Sequence, residues 1–486
     1  MKEKNVKARR APKPFESIIP VVILVATLAF VIKIFKQDAL GGPAQIAIIF
    51  GSAVVVFIAM VFCKIPWNDI EAKIIDNIKS LSTALIMLLF IGAIGSTWML
   101  SGVVPTMIVY GMKILSPKIF LFAAVIICSI ISLMTGSSWT TIATFGVALI
   151  GIGELFGIPK PIIAGAIISG AYFGDKLSPL SDTTIMASQT VGTPLFVHIR
   201  YMLKTTIPTI VITLAIFLVI GFTIDIRPAE HSLEITKNIN EIFKISPWFL
   251  LVPVLTAVLI ALKLPTLITL FFAAVMAVPF MVHCQPQVID MMVGADGEGV
   301  RIFKAVMQSM FQGCEFDTGQ PIIDRLASCY GMAGMMGTIW LILCASCFGG
   351  AMLGSGMIES LTNFIVKYLK SVFSLTAATS VSGIICNICV GDQYLSIILN
   401  SSLYKEVYKK EGYEPRLLSR TVEDSTTVTS VLVPWNTCGM TQSTVLGVAT
   451  LAYLPYCFFN YLSPIMTVII STIDYKRGKI KRVKRD

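Results

Sequence analysis

The sequence predicts an all-α protein that crosses a membrane many times and is built from two related halves. Of its 486 residues, 55% are hydrophobic and 14% are charged, whereas a typical soluble domain has about 45–50% apolar and about 25% charged residues. The mean hydropathy is +0.81. Apolar runs of about the 20 residues that cross a bilayer as a helix recur along the chain. This composition excludes a soluble enzyme, a nucleic-acid binder and a disordered scaffold.

Each half contains five apolar segments and one region where the apolar pattern is interrupted. The first run has no small-residue cleavage site and is followed by another span, so we expect it to be retained as a helix. The interrupted regions cover residues 135–194 and 391–442, parts of which are either re-entrant or spanning. The predicted spans lie near residues 18–35, 44–63, 81–104, 118–134 and 195–224, and near 247–262, 264–283, 335–357, 372–390 and 443–472.

A fixed offset of 255 residues relates the two interrupted regions. The same offset places Asp392 at the position of Ser137, in the similar segments GSSWTT and GDQYLS. One offset shared by several positions indicates an internal duplication, with repeat 1 over residues 18–224 and repeat 2 over 246–472. The offset also pairs Gly136 with Gly391, Pro179 with Pro434, Ser188 with Ser443 and Gly192 with Gly447.

Loop charges predict the orientation of the halves. Thirteen of the 38 Lys and Arg residues lie in the tails, residues 1–17 and 473–486, and basic residues concentrate on the cytoplasmic side of a membrane. The linker 225–245 has three basic and four acidic residues, so we expect it outside. Repeat 1 then starts inside and ends outside, which requires an odd number of crossings and makes the repeats inverted.

Two further loops agree with this scheme. Residues 284–332 are rich in Asp and Glu and fall outside, while the basic stretch 404–420 falls inside. Lys113 and Lys118, in a turn that the scheme places outside, count against it.

Polar segments in corresponding regions of the two halves indicate broken helices. Residues 174–184 read GDKLSPLSDTT, and residues 423–437 read EDSTTVTSVLVPWNT. Carboxylates, hydroxyls and a proline at membrane depth imply unwound backbone that lines a cavity or is buried in protein. Such a pair of interrupted segments is the sequence signature of a transporter binding site.

The residue types in these segments suit a hard monovalent cation and a proton. Na⁺ prefers oxygen ligands, which carboxylates, hydroxyls and freed carbonyls supply. Asp175, Asp182, Glu423 and Asp424 are the leading carboxylates. A buried carboxylate can hold either a proton or a metal cation, and this competition is the basis of exchange. Lys176 either pairs with Asp175 or Asp182, binds an organic carboxylate, or serves only as a structural ion-pair partner.

Other chemistry has little support in the sequence. The eleven Cys are scattered and odd in number, which does not suggest a disulfide framework. The pairs at 344/347 and 386/389 have CxxC spacing but lie in apolar helices, where a thiolate is costly. The three His form no cluster, and no GxSxG or HExxH motif indicates a membrane-embedded enzyme. We therefore expect no enzyme activity, no cofactor beyond the transported ions and no nucleic-acid partner.

At these motifs the sequence resembles the NhaC family of Na⁺/H⁺ antiporters. GDKLSPLSDTT is similar to that family's most characteristic motif, and later segments resemble its other blocks in the same order. The resemblance covers nearly the whole chain and implies a prokaryotic inner-membrane exchanger with inverted repeats. The later segments are FDTG from Phe316, GDQYLS from Gly391, LSRTVEDSTTVTS from Leu418, VPWNTCG from Val433 and LAYLPYCFFNYLSP from Leu451.

The resemblance also implies the residues of a cation and proton site. One departure from the family pattern, Thr184-Ile185-Met186, is less polar than expected. The implied site residues are Asp175, Ser178, Ser181, Asp182 and Thr183 in the first half, and Asp392, Glu423, Asp424, Thr426, Thr427 and Asn436 in the second, with Lys176 as a charge partner.

Two functional hypotheses follow. The first is exchange of cytoplasmic Na⁺ for external H⁺ by a multi-pass protein of the cell membrane with both termini in the cytoplasm. The alternative is Na⁺- or H⁺-coupled exchange of small organic anions, of the malate/lactate type, or of amino acids, because family membership implies architecture more strongly than cargo. A channel fits less well, since paired broken helices with protonatable groups suit alternating access. The lipid bilayer is an expected partner, and the oligomeric state, a homodimer included, stays open.

Overall fold

The chain folds almost entirely into α-helices. The computed structural model describes residues 9–35, 41–224, 237–262, 264–293, 298–316, 324, 327–366 and 371–480. Within them an isolated antiparallel bridge between Cys314 and Cys329 is the one β-type pairing. Part of the predicted linker, 225–236, and the ends of both tails lie outside the described residues, as do residues 317–319 of the FDTG segment, including its carboxylate Asp317.

Among its described residues, the first half contains eleven α-helices. A π-helix, Ile142–Gly146, joins two of them, and a 3₁₀ turn, Pro117–Ile119, precedes another. The helices are α1 Pro14–Phe35, α2 Pro43–Val61, α3 Trp67–Ser80, α4 Ser82–Leu100, α5 Val103–Ile114, α6 Phe120–Thr135, α7 Ser138–Thr141, α8 Val147–Leu155, α9 Lys160–Leu177, α10 Asp182–Val191 and α11 Leu195–Thr223.

The second half continues with the same kinds of element. Its π-helix is Glu423–Thr427, and 3₁₀ turns lie at Pro247–Leu250, Ala333–Met335, Ser430–Leu432 and Leu454–Tyr456. The helices are α12 Leu251–Ala261, α13 Thr266–Cys284, α14 Pro286–Met292, α15 Glu298–Phe311, α16 Met336–Gly354, α17 Met357–Val366, α18 Val372–Val390, α19 Gln393–Lys410, α20 Pro415–Val422, α21 Thr437–Leu446, α22 Thr450–Tyr453 and α23 Phe458–Lys476.

Nine helices in the described residues are long and apolar enough to cross a membrane. This confirms an all-α, multi-pass architecture. The predicted start of the last span, near residue 443, is wrong, because α21 ends at Leu446. The helices after it, 450–456 and 458–476, meet at an angle of 56° and form either one broken span or a re-entrant loop. Gly447 adopts a left-handed backbone (φ 63°) that ends α21. Hydropathy does not reveal this break, because the break depends on backbone conformation and not on polarity.

Helix ends recur at the offset of 255 residues. α6 and α18 both end at a glycine with left-handed backbone, Gly136 (φ 67°) and Gly391 (φ 72°). The next residues, Ser137 and Asp392, are the N-caps of α7 and α19. α9, residues 160–177, corresponds to 415–432, and α10, residues 182–191, corresponds to 437–446. The duplicated sequence is therefore also duplicated local structure, while the inversion of the repeats stays a prediction.

The two halves pack across one another. α3 lies along α16 and α15 lies along α4, so each half supplies a helix to the flank of the other. α10 packs on α19 and α20, and α21 packs on the first-half π-helix. Trp98 of α4 ties the halves together, because its buried indole N–H donates to the Ala273 carbonyl at 2.8 Å. This cross-packing brings both broken segments into the protein interior.

Candidate functional site

The first broken segment is the extended stretch between α9 and α10. Ser178 ends α9 in extended backbone, and its hydroxyl accepts the Leu180 N–H at 3.2 Å. Ser181 is the N-cap of α10, where its hydroxyl accepts from the Thr184 N–H. Pro179 between them cannot donate a helical hydrogen bond, so the helix cannot continue. The two serines are fully buried and replace hydrogen bonds that the break removes.

Asp175 joins this break to the tip of the α6–α7 turn. It lies in the last turn of α9, is buried, and accepts hydrogen bonds from the Ser138 N–H (3.1 Å) and the Ser138 hydroxyl (2.6 Å). Gly174 allows α6 to pack closely against α9, because the Cβ of any other residue at this position would lie only 2.6 Å from the Leu133 backbone nitrogen. The Asp175 carboxylate, the Ser138 hydroxyl, the C-terminal end of α9 and the N-terminal end of α7 therefore lie close together.

The second broken segment repeats this arrangement with different residues. Asp392 is the N-cap of α19 and accepts the Leu395 N–H at 2.8 Å. The Thr437 hydroxyl donates to the same carboxylate at 3.3 Å, and the Thr437 N–H donates to the Gly391 carbonyl at 2.9 Å. Asn436 is the N-cap of α21 and corresponds by the offset to Ser181. Each break therefore contacts the helix-turn tip of its own half, and each tip has one carboxylate nearby.

Between the two breaks lies a fully buried ion pair. The Lys176 ammonium on α9 contacts the Asp424 carboxylate of the second-half π-helix, and both side chains have 0% exposure. The ammonium also donates to the Ser463 hydroxyl at 3.0 Å and lies 5.5 Å from the centre of the Phe459 ring. The sequence suggested Asp175 or Asp182 as a partner for Lys176. The structure corrects this, because the packing of the halves brings Lys176 of α9 within ion-pair distance of Asp424.

Arg420 adds a second buried cation. It precedes Asp424 by four residues, and its Nε lies 4.0 Å from the Asp424 carboxylate with no exposure of either side chain. The guanidinium also donates to the Ser471 hydroxyl and stacks 4.5 Å from the centre of the Tyr201 ring. The sequence places Arg420 at the end of the predicted cytoplasmic stretch 404–420. There it is a basic residue that favours organic cargo, and it is not among the predicted cation-site residues. Its spacing of four residues from Asp424 was the signal that could have included it.

Glu423 connects the two halves through a hydrogen bond. The Thr183 hydroxyl on α10 donates to Oε1 of Glu423 at 3.3 Å, and the Ser181 hydroxyl lies 2.9 Å from that of Thr183. The other carboxylate oxygen, Oε2, has no hydrogen-bond partner among the described residues, although Glu423 is completely buried. An unsatisfied buried carboxylate oxygen is costly. Asp424 already contacts Lys176 and Arg420, so Glu423, which makes no ion pair among the described residues, is the π-helix carboxylate with capacity for a further cation or proton.

Amide side chains stabilise the π-helix that carries these carboxylates. A π-helix widens the turn and leaves backbone carbonyls without their usual partners. Asn387 donates to the Thr426 carbonyl at 2.7 Å, and Gln393 donates to the Thr427 carbonyl at 2.9 Å. Asn400 donates to the Thr426 hydroxyl at 2.9 Å. Sequence reasoning missed these three amides, although buried amides in apolar helices are an unusual feature that could have identified them.

The structure therefore divides the predicted residues into three groups. Asp175, Ser178 and Ser181 lie at the first break, Asp392 and Asn436 at the second, and the remaining buried residues between them. Asp182 differs from the others, because it is the first residue of α10 and its side chain is exposed. The other eleven predicted side chains are buried, namely Asp175, Lys176, Ser178, Ser181, Thr183, Asp392, Glu423, Asp424, Thr426, Thr427 and Asn436.

A cavity of about 320 Å³ lies to one side of this core, between α4 and the end of α21. We call it the α4–α21 cavity. A Glu154–Lys160 ion pair of 3.0 Å contributes to its lining. The remaining polar positions that line it include Ser96, Ser328, Cys329, Tyr330 and Thr444.

Comparison with known proteins agrees with this architecture. The family model for the Na⁺/H⁺ antiporter family matches residues 14–188 and 170–473. The chain belongs to the Na⁺/H⁺ antiporter family. It is 35% identical to the Na⁺/H⁺ antiporter NhaC of Alkalihalophilus pseudofirmus, over 94% of each chain. The resemblance to NhaC that the motifs predicted is confirmed.

Other members of the family carry different cargo. The chain is 34% identical to the malate-2H⁺/Na⁺-lactate antiporter of Bacillus subtilis, over 96% of this chain and 95% of that protein. It is 30% identical to the arginine/ornithine antiporter ArcD of Halobacterium salinarum, over 96% and 93%. These relatives are antiporters and not enzymes. Together with the nine apolar spans, they identify this chain as a multi-pass membrane protein of the antiporter type.

Proposed function

We propose that the protein exchanges cytoplasmic Na⁺ for external H⁺ and that Glu423 is the carboxylate at which the two ions compete. The observation that carries this proposal is the contact between Thr183 and Glu423. It joins α10, which begins after the first break, to the π-helix of the other half, and it leaves one carboxylate oxygen without a partner. The similarity to the NhaC antiporters supports the same cargo.

The charges around Glu423 favour a single bound cation. Asp175, Glu423 and Asp424 carry three negative charges when ionised, and Lys176 and Arg420 carry two positive ones. His198 is also buried beside this cluster, with Nδ1 2.9 Å from the Ser419 hydroxyl. With His198 uncharged, and without Asp392 at the second break and the exposed Asp182, the empty cluster has a net charge of −1. One Na⁺ or one H⁺ brings the cluster to neutrality, whereas both together leave an uncompensated buried positive charge, which is unfavourable in a low-dielectric interior. Binding of one ion thus opposes binding of the other.

The paired breaks supply the mechanism of access. The C-terminal end of α10 contacts the predicted cytoplasmic stretch, since Lys405 donates to the Thr190 carbonyl at 2.9 Å. The equivalent end of α21 lies beside residues 328–335, which belong to or adjoin the predicted external stretch. Equivalent helices that point to opposite predicted faces support inverted repeats with cytoplasmic termini. In this scheme, movement of one half relative to the other exposes Glu423 to each side in turn.

A second candidate function is exchange of an organic anion or an amino acid. Two fully buried cations, Lys176 and Arg420, share the single carboxylate of Asp424, and Nε and Nη1 of Arg420 have no hydrogen-bond partner among the described residues. A guanidinium is well suited to bind a carboxylate in bidentate fashion. The malate/lactate and arginine/ornithine relatives carry cargo of this class.

Proteoliposomes with an imposed pH gradient separate the two functions. We expect addition of NaCl, but not choline chloride, to dissipate the gradient with the native protein and with Glu359→Gln, a control at an exposed helix-surface glutamate. Glu423→Gln should abolish the response. Asp182→Asn tests whether the exposed carboxylate that the sequence also predicted contributes to the exchange.

The outcome decides between cation and organic cargo. No Na⁺ response at acidic, neutral or alkaline pH, from protein that is folded and inserted, would refute Na⁺/H⁺ exchange. Malate, lactate and arginine would then be tested as counter-substrates with the same vesicles. A full Na⁺ response in Glu423→Gln would support Na⁺/H⁺ exchange by the protein but refute the proposed role of Glu423.

A further inference from the structure

Cys314 and Cys329 lie directly opposite each other outside the helices. The Cys314 N–H donates to the Cys329 carbonyl at 2.9 Å, and the Cys329 N–H donates to the Cys314 carbonyl at the same distance. Reciprocal bonds of this kind define a hydrogen-bonded antiparallel pair. The pair joins the end of α15 to the segment before α16, two parts of the chain that the sequence alone does not place together.

This backbone geometry allows a disulfide. In a hydrogen-bonded antiparallel pair the Cα atoms are about 5.5 Å apart, and disulfides have Cα separations of about 4.4–6.8 Å. Side chains of directly opposite residues project to the same side, with Cβ atoms about 4.5–5.5 Å apart. Because hydrogen-bonded pairs have the wider Cβ spacing of this range, the Cβ atoms must approach by about 1–2 Å to reach the separation in a disulfide, about 3.5–4.5 Å. A small closing movement of the two segments at the pair is therefore required.

The pair also forms part of the wall of the α4–α21 cavity. Cys329 lines this cavity, and its sulfur lies 3.3 Å from the Ser96 hydroxyl on α4. Gly92 of α4 packs directly against the backbone of Gly331, two residues further on. A cross-link between Cys314 and Cys329 would therefore tie two segments that both pack on α4.

The location of the pair outside the helices distinguishes it from the cysteines within helices, including Cys284, which is the last residue of α13 at the start of the same stretch. Residues 284–332 form the acidic stretch that loop charge places outside the cell membrane, where disulfides persist. By contrast, Cys386 and Cys389 are fully buried within α18, and Cys344 and Cys347 lie within α16.

We infer that Cys314 and Cys329 form a disulfide on the external side of the membrane, and that this bond braces the wall of the α4–α21 cavity. Its formation breaks two S–H bonds and makes one S–S bond. Two protons are released, and two electrons pass to an oxidant of the extracytoplasmic space, either a thiol-oxidase disulfide or molecular oxygen. The inference depends on the predicted orientation and not on the identity of the cargo.

Sequential thiol labelling of the full-length protein tests this inference. Cells are acid-quenched, free thiols are blocked with N-ethylmaleimide in denaturant, and disulfides are then reduced and labelled with a polyethylene-glycol maleimide. Of the eleven Cys, we expect nine to be blocked in the first step and two to be labelled after reduction. Labelling should disappear in Cys314→Ser and in Cys329→Ser, and should persist in Cys386→Ser.

The native protein gives a decisive result even if a variant fails to fold. An absence of reducible thiols in the native chain would overturn the inference. Labelling that survives in Cys329→Ser would also overturn it, because another pair would then be responsible. If the disulfide forms only after cells are treated with diamide, the two thiols are close but the inferred oxidation in the cell is refuted.

Discussion

Replacing either member of the Lys176–Asp424 pair should destabilise the protein, and the two replacements should cost different amounts. Removing one partner of a fully buried ion pair leaves an uncompensated charge and costs about 3–5 kcal/mol. Lys176→Met leaves Asp424 with a second cation, Arg420, whose Nε is 4.0 Å away, so we expect a cost near 3 kcal/mol. Asp424→Asn leaves two buried cations without their common carboxylate, so we expect a cost near 5 kcal/mol.

The double variant provides a stricter test. Replacing a buried ion pair by apolar residues of similar volume is often close to neutral. Lys176→Met combined with Asp424→Leu should therefore cost less than the sum of Lys176→Met and Asp424→Leu measured singly, with a coupling energy of about 3 kcal/mol. The residual cost reflects Arg420, which loses its carboxylate partner in the double variant as well.

The assay is reversible unfolding of purified protein in mixed micelles with increasing sodium dodecyl sulfate, followed by tryptophan fluorescence. Lys204→Met is the matched control, because the Lys204–Asp474 pair has a similar contact of 3.1 Å but its lysine is 43% exposed. A partly exposed pair contributes about 0–1 kcal/mol. Equal costs for Lys176→Met and Asp424→Asn, or costs as small as that of the control, would refute the assignment of Asp424 as the shared counter-ion.

Three further predictions concern the packing that positions the site. Trp98→Phe removes the indole donor to the Ala273 carbonyl and should lower the free energy of unfolding by about 1 kcal/mol in the same titration; an unchanged value would contradict a bond between the halves. Gly174→Val should cost at least about 1–3 kcal/mol because its Cβ would collide with the backbone at Leu133, and a folded variant of native stability would show that α6 is free to move away. Asp392→Ala removes the N-cap of α19 and should cost about 0.5–2 kcal/mol, whereas Asp392→Asn, which can still cap, should retain most of the stability.

Hydropathy was sufficient to predict most of the fold. Nearly every predicted span corresponds to a helix, because each must present about 20 apolar residues to lipid and satisfy its backbone internally. Local polarity also located both breaks, since Pro179 and Pro434 with their flanking hydroxyls cannot continue an apolar helix. The offset of 255 residues predicted that Asp392 occupies the position of Ser137, and the structure shows that both are N-caps, because duplicated sequence keeps the same local backbone preferences.

Hydropathy did not predict the helix break at Gly447, because no charged residues mark it. Gly447 interrupts the segment 443–472 through its backbone conformation, and the apolar residues around it still average to a spanning helix. The structure there depends on the left-handed cap and not on composition.

The partners within the site were decided by tertiary structure. Lys176 is next to Asp175 in sequence but pairs with Asp424, which is 248 residues away, because successive residues on a helix point in different directions. Asp182 and Glu423 were both leading carboxylates in the sequence, yet Asp182 is exposed and Glu423 is buried against α10. Composition thus determined which segments enter the membrane and where they break. Only the packing of one half against the other determined which charges are neutralised and which carboxylate oxygen stays available.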